Sequence, residues 1–333
     1  MSFKRFDAED LVVSAEAITS PLWTGEVITL QQFYTSSTQV QVSSTGDYFI
    51  QVYQTASSLS TAEIQFSIAY CDKVGSGSNP YNAGIVGNTP SRTNYGQYRS
   101  LILGDEDSNF LFGDHQADYF YAINVDRNRY KERLLPGTLN LKIGDLTLTD
   151  DSNMVNTITY NDAGRVYQLI SGSLGTAYSG TGYTASSGSY GMFLPDIGVL
   201  LLNGKALDEN TAEGVNLSTD RSNSVTYNYE NAERLFDKIV SGSSFRLNSE
   251  ETISSQFVFV RARNGEFNYS VNPSNITGSG DLRHTVMVNS PETYITTVGL
   301  YNDNNDLLAV AKLSTPLKKN FTKEALIRIK LDF

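Results

Sequence analysis

Clustered carboxylates give this sequence its most direct route to chemistry, at Asp105-Glu106-Asp107, Asp150-Asp151, Glu250-Glu251 and Asp303 to Asp306. Glycoside hydrolysis needs two acids facing one cleft, and spacing along the chain establishes no such pair. Glu266 and Asp281 would be the acids of a glycan depolymerase, a reading with no paired motif behind it. Asp303, Asn305 and Asp306 resemble an oxygen-rich calcium loop, but the twelve-residue pattern with a central Gly and a terminal Glu is missing, so a polar turn is expected. The two histidines, His115 in FGDHQADYF and His284 in DLRHTVMV, have no partner at ligand spacing, and Cys71 stands alone. Zinc and an internal disulfide are therefore not expected. Cys71 follows IQFSIAY and reads as a small buried hydrophobe, while His115, beside Asp114 and Asp118, reads as a hydrogen-bonded loop residue. Gly75-Ser76-Gly77-Ser78 and Gly172-Ser173 lack the glycine spacing of a nucleophile elbow, and Gly180-Thr181-Gly182 is not followed by a helix. No catalytic residue, cofactor or metal ligand is assigned, and the chain is expected not to be an enzyme.

The elements that would position any site are strands. Only 18% of the 333 residues are charged, and polarity comes from Ser, Thr, Asn, Gly and Tyr, a mixture that suits pleated strands and tight turns. The net charge of -11 argues against a nucleic-acid partner. No segment reaches the roughly 20 apolar residues of a membrane span. The start MSFKRFDAEDLVV carries acids where a signal peptide would be apolar, so cytosolic synthesis is expected.

Strand patterns recur at Val27 to Phe33, Tyr48 to Gln54, Ile64 to Tyr70, Tyr119 to Val125, Thr138 to Leu148, Val166 to Ile170 and Val199 to Leu202. They continue at Phe257 to Ala262, Tyr294 to Tyr301, Leu307 to Leu313 and Leu326 to Phe333. Helical spacing is confined to Tyr229 to Ile239, where Ala232, Leu235, Phe236 and Ile239 share a face, and to a turn around Arg129 to Leu135. The expected fold class is mainly β, with antiparallel sheets or sandwiches, long loops and one or two short helices. Pauses near Ser76 and Asn203 suggest regions 1–75, 76–202 and 203–333. Residues 302–306 should turn a hairpin, with Leu326 to Phe333 pairing against it and Ile327, Ile329, Leu331 and Phe333 on one face.

Several residues read as contacts to other chains. The long segments Val74 to Tyr98 and Ser171 to Gly191 are loops in this reading, and Tyr178, Tyr183 and Tyr190 offer a ring and a hydroxyl each, as interface residues do. Arg127, Arg129, Lys131 and Arg133 form a basic patch suited to salt bridges between subunits. Phe3 and Phe6 flank two cations in an arm that would lock against a partner, and Arg328 shares a charged face with Lys330 and Asp332.

ITTVGLYNDNNDLLAVAKLSTPLKKN, followed by EALIRIKLDF, resembles the C-terminal portion of structural proteins from contractile-tailed phages. KRFDAEDLVV, YGQYRSLILGDED, RYKERLLPGTLNL, GRVYQLISGS, YGMFLPDIGVLLLN and FVFVRARNGEFNYSVNP resemble successive blocks of an uncharacterised virion protein of T4-like myophages, including those of cyanobacteria. That resemblance implies a virion structural component and leaves its place in the particle open; the first reading is a non-enzymatic part of the tail, baseplate or neck, assembled in the host cytoplasm. Its partners would be further copies of itself and other virion proteins. A host-glycan binding module, motivated by the 20 Tyr and many Asn and Ser, is the alternative, with a capsid-surface place behind it.

Overall fold

A computed structural model describes residues 4–35, 49–78, 89–179, 188–210, 214–222, 230–270 and 272–332. The fold is mainly β, and every registered strand pair is antiparallel. Four helices stand among the described residues, α1 (Pro90–Leu103), α2 (Gly204–Asp208), α3 (Glu230–Gly242) and α4 (Val286–Asn289). Contacts divide the chain into two compact units, a larger one at Ile18–Glu251 and a smaller one joining Met1–Ala17 to Thr252–Phe333. The pauses near Ser76 and Asn203 both fall inside the larger unit, where Asn203 ends the buried strand Val199–Asn203. Gly and Ser mark turns within a sheet as readily as borders between domains. Both passages between the units instead lie inside strands, Leu11–Pro21 and Asn248–Ala262.

In the larger unit a 13-stranded sheet has Gly164–Ser173, Gly191–Leu194, Val199–Asn203, Tyr119–Val125 and Ile64–Asp72 as successive neighbours near its middle. Leu200 pairs with Ile123, which pairs in turn with Ile68. Successive side chains of a strand point to opposite faces, and here both faces are covered. Tyr121 and Ile123 enter a core with Leu141, Phe245 and the α3 residues Ala232, Leu235 and Ile239. Phe120 and Ala122 enter the other core with Leu201 and the α1 residues Tyr95, Tyr98 and Ile102. Runs such as YFYAINV and VLLLN are therefore apolar apart from one Asn each, because both faces of the sheet are packed.

Helix α3 agrees with the spacing read from the sequence, although Tyr229 lies outside the described residues. Helix α1 replaces much of the loop expected at Val74 to Tyr98. It starts with Pro90 after an extended Thr89 and stops at Gly104, whose φ of 63° suits glycine. The turn expected near Arg129 is a short 3-10 helix, Arg127–Arg129. The strand expected across Thr138 to Leu148 is two, Asn140–Ile143 and Leu146–Asp150, folded back at Gly144 with φ 57°. Val27 to Phe33 contributes only Thr29–Leu30.

In the smaller unit, Asn248–Ala262 lies between Leu11–Pro21 and Ala325–Asp332. The hairpin Thr293–Tyr301 with Leu307–Lys319 is a separate two-stranded sheet. Its turn closes on itself, since the Asn302 side-chain oxygen accepts from the backbone N–H of Asn304 and Asp306, and Asn305 takes φ 65°. The terminal strand does not pair with this hairpin. It pairs with Asn248–Ala262, Ile329 opposite Val258, and the hairpin packs Val298, Leu300, Ala309 and Ala311 against the face carrying Ile327, Ile329 and Leu331. An alternating apolar row serves edge pairing and face packing equally, so its period does not choose between them. Phe333 lies outside the described residues.

Candidate functional site

A buried polar cluster centres on Asp72, at the end of the strand Ile64–Asp72. Its side chain is fully buried. One carboxylate oxygen accepts from the backbone N–H of Val74, Gly75 and Ser76 at 2.9, 2.9 and 3.1 Å. The other accepts from Arg221 Nε at 2.8 Å and from the Tyr70 hydroxyl at 3.3 Å. The Arg221 guanidinium lies 4.7 Å from the centre of the Tyr119 ring, and Tyr119 donates to Asp208, which also takes the N–H and hydroxyl of Thr219. Asn231 of α3 donates to the carbonyls of Gly77 and Asp220, and a side chain on Gly77 would come within 2.6 Å of the Asp220 carbonyl. Burial pushes the Tyr70 and Tyr121 phenols well above their usual range. Around Asp72 the donors and acceptors are matched to one another, so the arrangement clasps residues 72–78 to residues 217–222 rather than offering a reactive group. Sequence reading singled out none of these side chains, because the partners are far apart in the chain, Arg221 standing 149 residues from Asp72.

The acidic clusters singled out in the sequence separate. Asp150 is buried and accepts from the Gly137 N–H at 2.7 Å, and Asp151 accepts from the Gln168 N–H at 3.0 Å. Burial raises both carboxyls, and for Asp151 the neighbouring Asp150 charge adds to the rise. A folded-state pKa above the unfolded value of about 3.9 gives a stabilising term that is complete below that value and is lost as pH rises through the folded pKa. Asp150→Asn keeps an acceptor for Gly137 and removes the titration. Its melting temperature relative to wild type should therefore climb as pH rises from about 4 through the raised folded-state pKa of Asp150. A constant difference across that range would contradict burial as the cause.

Glu250 and Glu251 pair with Arg133 and Lys131 at 2.8 Å each. Glu266 takes the Arg263 N–H and Lys4, and Asp281 takes the Ser279 hydroxyl. Cys71 is buried, and its thiol is pushed up by that burial. His115 is pushed below its ordinary value by burial and by Lys205. Among the described residues no group of three or more His, Cys, Asp or Glu is placed to hold a metal ion, and no helix is long and apolar enough to cross a membrane.

The expected contact residues fare differently. Tyr190 is only 1% exposed and belongs to the larger unit's core, so it is not a subunit contact; its backbone bonds Leu169 on one side and Asn203 on the other. Tyr178 is exposed, and Tyr183 and Phe3 lie outside the described residues. The basic patch is occupied within the chain. Arg127 stacks on Tyr130, and Arg129 reaches Glu63 at 2.7 Å and Thr24 at 2.6 Å. Phe6 is exposed, while Lys4 beside it donates to the Arg261 carbonyl. Arg328 is exposed and lies 5.5 Å from the Phe257 ring centre.

The surface best suited to contacts is on the smaller unit. Residues 11–17 are exposed along their whole length, with Val13 at 71%, and among the described residues their strand pairs on one side only. Such an edge is a template for another strand. On the hairpin, Leu308 is the extra residue at a bulge between Leu300 and Tyr301 and is 68% exposed. Searches of protein-family models, curated proteins and solved structures find no match to this chain.

Proposed function

We propose that this chain is a non-enzymatic structural component of a contractile-tailed phage virion, placed in the tail, baseplate or neck, and that it acts through protein–protein contacts. The observation that carries the reading is the open surface of the smaller unit, a one-sided edge strand together with a hairpin bearing exposed Leu307, Leu308 and Val310. Exposed apolar strands are a liability in a free protein and are tolerated where a partner covers them. The resemblance of the hairpin sequence to contractile-tail structural proteins supplies the setting. An enzyme would need convergent reactive groups, whereas the buried acids here are held by backbone N–H groups and arginine.

Mass spectrometry of gradient-purified particles tests this reading, with antibody labelling in electron micrographs to give the position. The chain should copurify with particles, and the label should fall on the tail, baseplate or neck. Its presence in the infected-cell lysate but absence from particles would overturn the proposal.

A further inference from the structure

We infer that the smaller unit is a self-association surface, on which a second copy of this chain is seated through the outer face of the hairpin and the edge at residues 11–17. The inference rests on the reading that the chain works by protein–protein contact, and it names the partner. Its first support is a mismatch between the units. Among the described residues, 16 of the 31 exposed large hydrophobic side chains belong to the smaller unit, which holds under a third of the chain. Only five of the 54 buried hydrophobic residues do: Val258, Ala262, Leu300, Ala325 and Ile329. Its apolar surface is on the outside.

Zero net charge favours a second copy over a strongly charged partner. The smaller unit carries 11 Lys and Arg against 11 Asp and Glu, so its net charge is zero and the whole chain's -11 resides on the larger unit. Two larger units repel each other, whereas two smaller units do not. A neutral apolar surface also gives no preference for an acidic or a basic partner. Its area is sufficient. A standard interface takes about 800 Å² from each side, and at roughly 100 Å² per half-exposed large side chain the eight on the hairpin and residues 11–17 would supply it.

The hairpin is shaped for such a contact. Val310 stands opposite Gly299, and a side chain on Gly299 would meet the Tyr301 ring at 2.8 Å and Leu307 at 3.3 Å. The missing side chain lets Tyr301 and Leu307 lie flat beside Val310, which is 57% exposed. Leu308 projects at the bulge next to them.

Sedimentation velocity of the full chain from about 5 to 100 μM tests the inference. Wild type should move from the 36.7 kDa monomer to a dimer or larger species over that range. The double variant Leu308→Glu/Val310→Glu should remain monomeric throughout. Tyr160→Glu, an exposed site in the larger unit, should associate as wild type does. Raising salt from about 0.1 to 0.5 M should leave association unchanged or tighten it, because the contact is apolar. Circular dichroism checks the fold of each variant; if the double variant is unfolded, Val13→Glu carries the test. A wild-type monomer at every concentration, dissociation by salt, or a folded hairpin variant that still associates would overturn the inference. A monomer found in particles would overturn it while leaving the virion reading standing, and an oligomer absent from particles would do the reverse.

Discussion

Asp72→Ala is expected to lower the melting temperature of the larger unit by about 10 °C. The substitution leaves the N–H groups of Val74, Gly75 and Ser76 without their shared acceptor and strips Arg221 and Tyr70 of theirs. Removing one partner of a buried charge pair costs about 3–5 kcal/mol, and the lower end applies because the Arg221 side chain keeps 35% of its surface in water. A unit of this size melts about 2–4 °C lower for each kcal/mol, which gives the expected shift. Asp72→Asn separates the contributions, because its side-chain oxygen can still take the three N–H groups while the ion pair with Arg221 is gone. It should lose about half as much. Differential scanning calorimetry reads both variants, and an Ala variant melting within about 2 °C of wild type would show that the clasp does not hold the unit.

The Asp72 cluster also shows where sequence reading stops. Ile64–Asp72 and Tyr119–Val125 were legible as strands because β-branched and aromatic residues recur through them. Which strands become neighbours, and therefore which distant arginine meets Asp72, depends on sheet order, and no local pattern encodes that. Helix α1 is a different case. Tyr95, Tyr98 and Ile102 stand three and four residues apart, with Pro90 before them and Gly104 after, so the start, face and stop were all written locally. The surrounding Gly, Ser and Asn concealed them, and Gly96 within the helix lowers its intrinsic propensity. Tyr190 failed as a contact for the opposite reason. A tyrosine in a Gly/Ser-rich stretch has the composition of a loop, yet a hydrogen bond from its N–H to the Leu169 carbonyl draws it into the sheet's core.

The mixed alternation of ALIRIKLD was legible as one buried and one exposed row, and it leads to a test in which neighbouring residues behave oppositely. Ile329→Asp should prevent the smaller unit from folding while the larger unit stays intact. Ile329 is one of the three fully packed residues of the smaller unit's own core, with Val258 and Leu300, and the hairpin is stacked on the same face. Replacing it removes an apolar contact worth about 2–5 kcal/mol and places a carboxylate where the hairpin leaves it no partner. So small a core has few other contacts to hold the layers together. Arg328, one residue earlier, points to the other face and stacks on Phe257, an exposed cation–π contact worth about 0.5–1 kcal/mol. Arg328→Ala should therefore leave both units folded. Limited proteolysis with mass analysis distinguishes the two outcomes: Ile329→Asp should be cut throughout residues 252–332 while a fragment near residues 18–251 persists, and Arg328→Ala should give the wild-type pattern. If Ile329→Asp resisted cleavage as wild type does, the hairpin would not depend on the terminal strand's apolar row. If Arg328→Ala were cut as readily as Ile329→Asp, the charged face would carry the unit's stability and the two rows would have been assigned the wrong way round.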